Sequence, residues 1–276
     1  NLRSSPFVLD ELELSFSELL DHFENNGFPF ASIHVESTYF FYDSENEDYL
    51  VDLYLNLSKN QISSIDTVII AGNTKTKDYV IKRSLRLQKG ESYSHEKIED
   101  IPAKLNRLHF FEPVEIPSFY FDSKDKGVLE VTVVERETNS FDGIIGYIPS
   151  SDDNESGYIT GLANISLRNL FGTGRALSFK WNKVDRYSQE LELKYLEPWI
   201  LGLPLNVDLL LFQRQQDSSY VQRLLNGNIE FLATESMSAA LIFSQEYTIP
   251  TNPDSRGFTV YNSTSFISGV NLKIDT

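Results

Sequence analysis

Beyond residue 138 the chain alternates apolar and polar residues with a period of two, the signature of strands with one apolar face. Leu177, Phe179 and Trp181 fall on one face, with Ser178, Lys180 and Asn182 on the other. Leu191, Leu193 and Tyr195 oppose Glu190, Glu192 and Lys194 in the same way. Leu205, Val207, Leu209 and Leu211 oppose Asn206 and Asp208, although Leu210 and Phe212 break that polar face. Leu241 and Phe243 oppose Ser244. The pattern predicts about eight strands, near 141–148, 158–168, 176–184, 189–197, 204–214, 220–232, 238–248 and 258–273. Their separators are rich in turn residues: Ser150–Asn154, Gly172-Thr173-Gly174, Gln215–Ser218 and Pro250–Gly257.

Before residue 138 the pattern is mixed. Ile65–Ile70 is β-branched, short and closed by Ala71-Gly72-Asn73, which predicts a strand and turn. Lys77–Leu87 places Val80, Ile81 and Leu85 at helical spacing and stops at Lys89-Gly90. Ser94 reads as an N-cap, followed by a stripe of Ile98, Ile101, Leu105 and Leu108. Pro102 within that stripe either kinks the helix or marks its true first turn. Val114–Phe121 and Gly127–Val134 then read as strands, giving β-α-α-β-β over 62–137. Residues 1–61 carry a partial copy. Leu14–Asn26 is helical, with Phe16, Leu19, Leu20 and Phe23 on one face. Phe30–Phe41 and Tyr49–Leu57 form a hairpin around the acidic loop Asp43–Asp48. An internal repeat of this kind says more than any single motif.

Composition narrows the function. The 276 residues carry Lys+Arg 24 against Asp+Glu 40, a net charge of −16, which argues against nucleic acid as a partner. Residues 1–140 hold 14 basic and 25 acidic side chains, and the rest hold 10 and 15. The absence of Cys excludes disulfides, thiolate metal sites and thiol nucleophiles. Four scattered His make a His metal cluster an unpromising reading, and no cofactor or metal is expected. Apolar runs such as Leu209–Phe212 are far shorter than a spanning helix, and Asn1–Ser5 does not open a secretory signal. The chain therefore reads as cytosolic, mature or a fragment. Barrel strands, however, need only about 9–11 alternating residues each.

Two architectures fit the second half. A soluble β-sandwich also alternates, with its apolar face buried. A membrane barrel better accommodates the lone charges Lys180, Glu190, Glu192, Lys194, Asp208 and Glu230 at strand centres, where they would line a wet lumen. Tyr147, Tyr158, Tyr195, Trp199 and Tyr220 fall near strand ends, where aromatic girdles sit. On this reading Leu177, Phe179, Trp181, Leu191, Leu193 and Tyr195 face lipid.

Several segments also resemble a known family. Ala71–Arg83 resembles the GNxxTxxxxIxR segment of a POTRA domain, followed by Gly90, the Leu105…Leu108 helix and Phe110-Phe111-Glu112-Pro113-Val114. Gly27-Phe28-Pro29-Phe30-Ala31 resembles the GYPFA segment of another POTRA. Asn169–Arg175 and Tyr195–Trp199 resemble the NLFGxG and YxxP signatures that open the barrel of the BamA/TamA family, in wording most like that of Bacteroidetes-type bacteria. The resemblance implies POTRA modules at 1–61 (partial) and 62–137, and a transmembrane antiparallel barrel from 138. About eight strands are present, half of the family's sixteen. An open sheet of eight would leave unpaired backbone groups in lipid. It also implies an outer-membrane location with the POTRA modules in the periplasm, and unfolded outer-membrane proteins as clients. Periplasmic chaperones or accessory lipoproteins would be further partners, alongside the lipid bilayer.

Two candidate sites follow. The POTRA edge is expected at Val114, Glu115, Ile116, Ser118, Phe119 and Tyr120, where an extended partner could add as a strand. Pro113 and Pro117 suit an edge, and equally suit blocking unwanted pairing. The resemblance marks Phe141, Gly143, Ile145, Gly146 and Tyr147 as the lateral-gate strand. Gly143 and Gly146 would weaken it and permit bulges or close approach. The remaining features are read as structural. Gly172–Gly174 lacks the spacing of a phosphate loop. His95 and His109, expected on one helix, lie at no metal spacing. Asp152, Asp153 and Glu155 read as a solvated loop, and Ser255-Arg256-Gly257-Phe258 as an ordinary loop despite its likeness to the family's lid motif. No Gly-x-Ser-x-Gly elbow is present, so no enzyme is expected. The readings left are an insertion or translocation component and a passive barrel whose POTRA modules dock a partner.

Overall fold

The computed structural model describes residues 7–44, 48–150, 156–217, 219–234, 237–251 and 260–274. Asp152, Asp153, Glu155 and the Ser255–Phe258 loop therefore lie outside the described residues. The chain forms two compact units: Asn1–Asn73 with Ile81–Glu135, and Thr74–Val80 with Arg136–Thr276. No described helix is long and apolar enough to cross a membrane.

The first unit opens with α1 (Leu9–Glu24), which starts at Leu9 rather than Leu14. Asp10 and Glu11 in its first turn complement the helix dipole and explain the earlier start. A hairpin follows, β1 (Ser32–Asp43) and β2 (Asp48–Ser58), antiparallel with Phe41 opposite Leu50. Tyr39 packs on Tyr54 with ring centroids 5.5 Å apart, and Tyr42 on Tyr49 at 5.1 Å. The α-β-β order of the partial copy is present.

The complete module comprises β3 (Ser64–Ile65), β4 (Thr67–Ala71), α2 (Asp78–Leu85), β5 (Glu91–Ser92), α3 (His95–Glu99), α4 (Ile101–Asn106), β6 (Ser118–Phe121) and β7 (Gly127–Thr132). β4 runs parallel to β7 with Val68 opposite Leu129, β6 runs antiparallel to it, and the sheet order is β4-β7-β6. The helix after Ser94 is two helices. Pro102 occupies the first turn of α4, where its missing N–H has no intrahelical role. Three residues of the expected stripe, Ile98, Ile101 and Leu105, enter the core, whereas Leu108 falls beyond α4 and is only half-buried. Ile81, Leu85, Ile98, Ile101, Leu105, Leu129, Val131 and Val133 are all at most 2% exposed. Each fully buried side chain of this size contributes about 1.5–3 kcal/mol. The short β3–β5 pair, Ser64 opposite Ser92, was invisible to periodicity because two residues show no period.

Three local expectations are corrected. Val114–Ile116 is irregular chain rather than strand, and β6 begins only at Ser118. Pro117 explains this, since it cannot donate to a ladder and Pro113 precedes it in the same stretch. The Ser94 hydroxyl does not cap its own helix. Asn25 Oδ1 does so from the end of α1, accepting from the Glu96 backbone N–H at 2.9 Å and the Ser94 hydroxyl at 3.2 Å. His109 has left the helix, with φ +58° beyond α4, so it shares no helix with His95.

The second unit contains one sheet of eight strands: β8 (Ser140–Ile148), β9 (Tyr158–Leu170), β10 (Arg175–Lys183), β11 (Gln189–Glu197), β12 (Leu205–Gln216), β13 (Tyr220–Leu232), β14 (Met237–Pro250) and β15 (Ser263–Ile274). Each pairs antiparallel with its sequence neighbours, so the order is β15-β14-β13-β12-β11-β10-β9-β8. No described residue of these strands is buried on either face. A sandwich would bury one face under a second sheet. This sheet buries neither, which decides between the two architectures.

Candidate functional site

Register fixes the faces of the large sheet. Leu177 lies opposite Tyr195, Phe179 opposite Leu193 and Trp181 opposite Leu191. Directly paired residues share a face. The same face continues through Ile165 opposite Phe179, Leu211 opposite Leu193, Leu225 opposite Leu211, Ile229 opposite Val207, Leu241 opposite Ile229 and Val270 opposite Leu241. The six side chains expected to face lipid thus lie on one continuous apolar surface. Tyr147, Tyr158 and Tyr220 mark one end of the strands, and Tyr195 and Trp199 the other.

The opposite face is polar and internally paired. Glu190 meets Arg214 at 2.6 Å. Glu192 lies 2.9 Å from Lys194 and 3.7 Å from Lys180. Asn228 donates to Asp208 at 3.3 Å, Asn206 to Glu230 at 3.3 Å and Gln222 to Glu246 at 2.7 Å. Glu190–Arg214 and Glu192–Lys180 are cross-strand ion pairs, Glu192–Lys194 lies within β11, and Asp208, Glu230 and Glu246 accept from amides of the neighbouring strand.

β8 is one edge of this sheet. It pairs along its length with β9, from Ser140 opposite Ser166 to Ile148 opposite Tyr158, without a register shift. Phe141, Ile145 and Tyr147 are 74%, 77% and 68% exposed. The glycine that matters most here was not singled out in the sequence. Gly161 on β9 lies opposite Ile145 at φ +154°, and a Cβ there would overlap the Ile144 carbonyl oxygen. Gly143 and Gly146 keep ordinary strand backbone, and added Cβ atoms would meet Leu162 O at 3.3 Å and Thr160 Oγ1 at 3.1 Å. They permit close approach but no bulge.

The second candidate edge is β6. Only Ser118, Phe119 and Tyr120 of the expected set lie in it. Val114 is buried, with its N–H on Asn106 Oδ1 at 3.0 Å, while Glu115 and Ile116 lie in the preceding irregular segment. Phe119 is a packing residue. Its ring lies 4.8 Å from Tyr93, 5.7 Å from Phe121 and 6.1 Å from Phe30. Burial, with the Glu24 and Glu99 carboxylates nearby, pushes the Tyr93 phenol up to about 12. The outward face of β6 is left to Ser118 and Tyr120. The Tyr120 phenol titrates above its ordinary range because of desolvation and the neighbouring Glu130.

These features define a class: a POTRA-like module followed by an antiparallel sheet of eight strands in which no described strand residue is buried. The POTRA family (surface antigen variable number repeat) matches residues 63–136. The outer membrane protein assembly factor BamA of Nitratidesulfovibrio vulgaris is 29% identical over 168 residues, 61% of this chain and 20% of that protein. BamA of Neorickettsia risticii is 33% identical over 147 residues, 52% of this chain and 19% of that protein. The crystal structure of BamA from Haemophilus ducreyi lacking POTRA domains 1–3 has the same fold. It aligns with a TM-score of 0.65 at 19% identity, over 96% of this chain and 52% of that one. CdiB from Acinetobacter baumannii aligns at a TM-score of 0.51 and 14% identity, over 96% of this chain and 50% of that one. The chain thus carries a POTRA-family module at 63–136 and is similar over more than half its length to BamA proteins, whose fold it shares. It spans about a fifth of the length of the curated relatives it matches.

Proposed function

We propose that this chain is part of an insertion or translocation component for outer-membrane proteins, acting by strand pairing at β8. The observation that carries the reading is the position of β8. It is the first strand of the sheet, stands at its edge and presents Phe141, Ile145 and Tyr147 on the lipid-facing side. A client strand can add to such an edge through backbone hydrogen bonds, with alternate side chains meeting lipid. The outward face of β6 serves as a second, periplasmic docking edge for extended clients or accessory partners. No chemical step, cofactor or metal enters this reading.

These 276 residues contain no Cys, so the test needs only that any Cys outside them be replaced. An Ile145→Cys variant of the full-length protein, carrying a thiol-reactive photocrosslinker, is expected to trap outer-membrane clients during their assembly. Phe243→Cys, on β14, is expected to trap none. A passive barrel predicts equal, low crosslinking at both positions, and that result overturns the proposal.

A further inference from the structure

The segment Thr74–Val80 belongs to the second unit, although the chain on both sides of it, through Asn73 and from Ile81, belongs to the first. Contacts made by Thr76, Lys77 and Lys75 help to seat it. Asn169 Nδ2 donates to Thr76 Oγ1 at 2.7 Å. The Lys77 backbone N–H donates to the Gly172 carbonyl at 2.9 Å. Lys75 Nζ lies 2.7 Å from Glu137 Oε1. Thr76 is one of the few buried polar residues described, at 3% exposure. Burial of a hydroxyl is tolerated when it is hydrogen-bonded, as here.

The receiving turn is built for this contact. Asn169 sits at φ +54°, a conformation Asn tolerates better than most residues. Its amide serves both ways, since Oδ1 accepts from the Gly174 N–H at 2.9 Å while Nδ2 reaches Thr76. Gly172 has φ +72°, and a Cβ there would overlap the Lys75 carbonyl oxygen. The motif Asn169-Leu170-Phe171-Gly172-Thr173-Gly174 is therefore a socket rather than only a hairpin turn.

The socket lies at the root of β8. Glu137 precedes that strand. Thr138 Oγ1 donates to the Arg168 carbonyl at 3.1 Å, and the Arg168 N–H donates to Asn139 Oδ1 at 3.1 Å. These bonds join the start of β8 to the end of β9, and Asn169 is the next residue. Thr74–Val80 thus touches the chain just before β8 and just after this clasp. We propose that it is a latch. Seated, it holds the N-terminal end of β8 against β9; released, it lets that end fray. The functional consequence rests on the reading of β8 as the working edge, because fraying there would expose ladder groups to a client strand.

The test uses the full-length protein in lipid nanodiscs and reads amide exchange, which needs no client. Thr76→Val keeps the side-chain shape and removes the hydroxyl. Asn169→Ala removes the other partner. Each is expected to raise exchange about tenfold in peptides covering 74–80, 137–142 and 166–174, and to leave β11–β13 unchanged. The double variant is expected to match Asn169→Ala, because Thr76→Val removes only the bond that Asn169→Ala already removes. Lys75→Gln, which removes only an exposed ion pair, gives the same regional pattern at smaller amplitude and covers the case in which the others fail to fold. Unchanged exchange at 137–142 with faster exchange at 74–80 overturns the latch, as does a rise across the whole sheet. Absence of client crosslinking at Ile145 would overturn the proposed function and leave this exchange result standing.

Discussion

Leu129 and Leu193 are both mid-strand leucines in alternating segments, and they have opposite fates. Leu129, in β7, is 0% exposed in the core of the POTRA module. Leu193, in β11, is 39% exposed on a face that no protein layer covers. The sequence pattern around each is a strand pattern. The difference lies in what surrounds it: the POTRA strands are interleaved with helical stripes that supply a second layer, whereas β8–β15 follow one another with turns alone. Alternation reports a two-faced sheet, and the neighbouring elements decide what the apolar face meets. On the proposed reading that partner is lipid.

The sharpest way to break this comparison is to delete buried volume in the first region. Leu129→Ala is expected to destabilise the first unit by about 2–5 kcal/mol, since it leaves a cavity in a closed core. Urea unfolding of the full-length protein, followed by pulse proteolysis within 81–135, measures it. Leu193→Ala is expected to change the stability of the sheet far less, because lipid chains can fill the space. Equal losses would mean that the face of β11 packs on protein.

Charge inverts the ranking of sites without much lowering the effect. Leu193→Arg is expected to destabilise the folded sheet in bilayers by about 2–4 kcal/mol, the range for a cation near the bilayer midplane. Leu193 is the central residue of β11. The paired control is Lys194→Gln on the polar face, where only an exposed ion pair with Glu192 is lost and about 0–1 kcal/mol is expected. Comparable penalties at 193 and 194 would dissolve the distinction between lipid and lumen faces.

Most of the architecture was legible because it rests on long periodic segments. Seven of the eight strands of the large sheet stand within two residues of where the alternation put them, the eighth begins at Ser263 rather than 258, and Ile98, Ile101 and Leu105 of the stripe lie in the core while Leu108 does not. What escaped notice was set by contacts distant in sequence. Asn25 caps α3 across 71 residues, and Asn169 bonds Thr76 across 93. No window on the sequence contains both partners. The β6 edge was placed too early because Val114–Ile116 is β-prone while Pro117 withholds a donor at the point where pairing must start. Gly161 carries no signal in the sequence that separates it from the glycines of β8. The close approach there is made by the backbone of the opposing strand.

The cap supplied by Asn25 is an energetic detail within reach of measurement. Asn25→Ala is expected to destabilise the first unit by about 0.5–2 kcal/mol, the usual range for a lost N-cap. The loss should appear locally, as faster amide exchange at Glu96. Ser94→Ala is expected to matter less, since its hydroxyl donates to Asn25 and caps nothing itself. A larger loss at Ser94 than at Asn25 would restore the local capping expected from the sequence.

The smallest effect is electrostatic and confined to the first region. Glu91, in β5, accepts from the Gln88 backbone N–H at 3.0 Å and pairs with Lys97. The Gln88 bond first, and Lys97 second, hold its carboxyl below its ordinary value of 4.5. A carboxyl lowered by folding stabilises the native state fully above its unfolded value, and the stabilisation is lost as pH falls through the lowered native one. Stability of the first unit should therefore drop as pH falls below 4.5, and Glu91→Gln should remove part of that drop while lowering stability at neutral pH. Wild type and variant should converge in acid. Because the larger contribution is a short bond to the backbone, the difference should survive salt, which screens the exposed Lys97 ammonium more strongly. A difference that salt abolishes would assign the effect to Lys97 and leave the Gln88 turn with no electrostatic role. The same titration read on β11–β13 should show no Glu91-dependent step, since Glu91 belongs to the first unit.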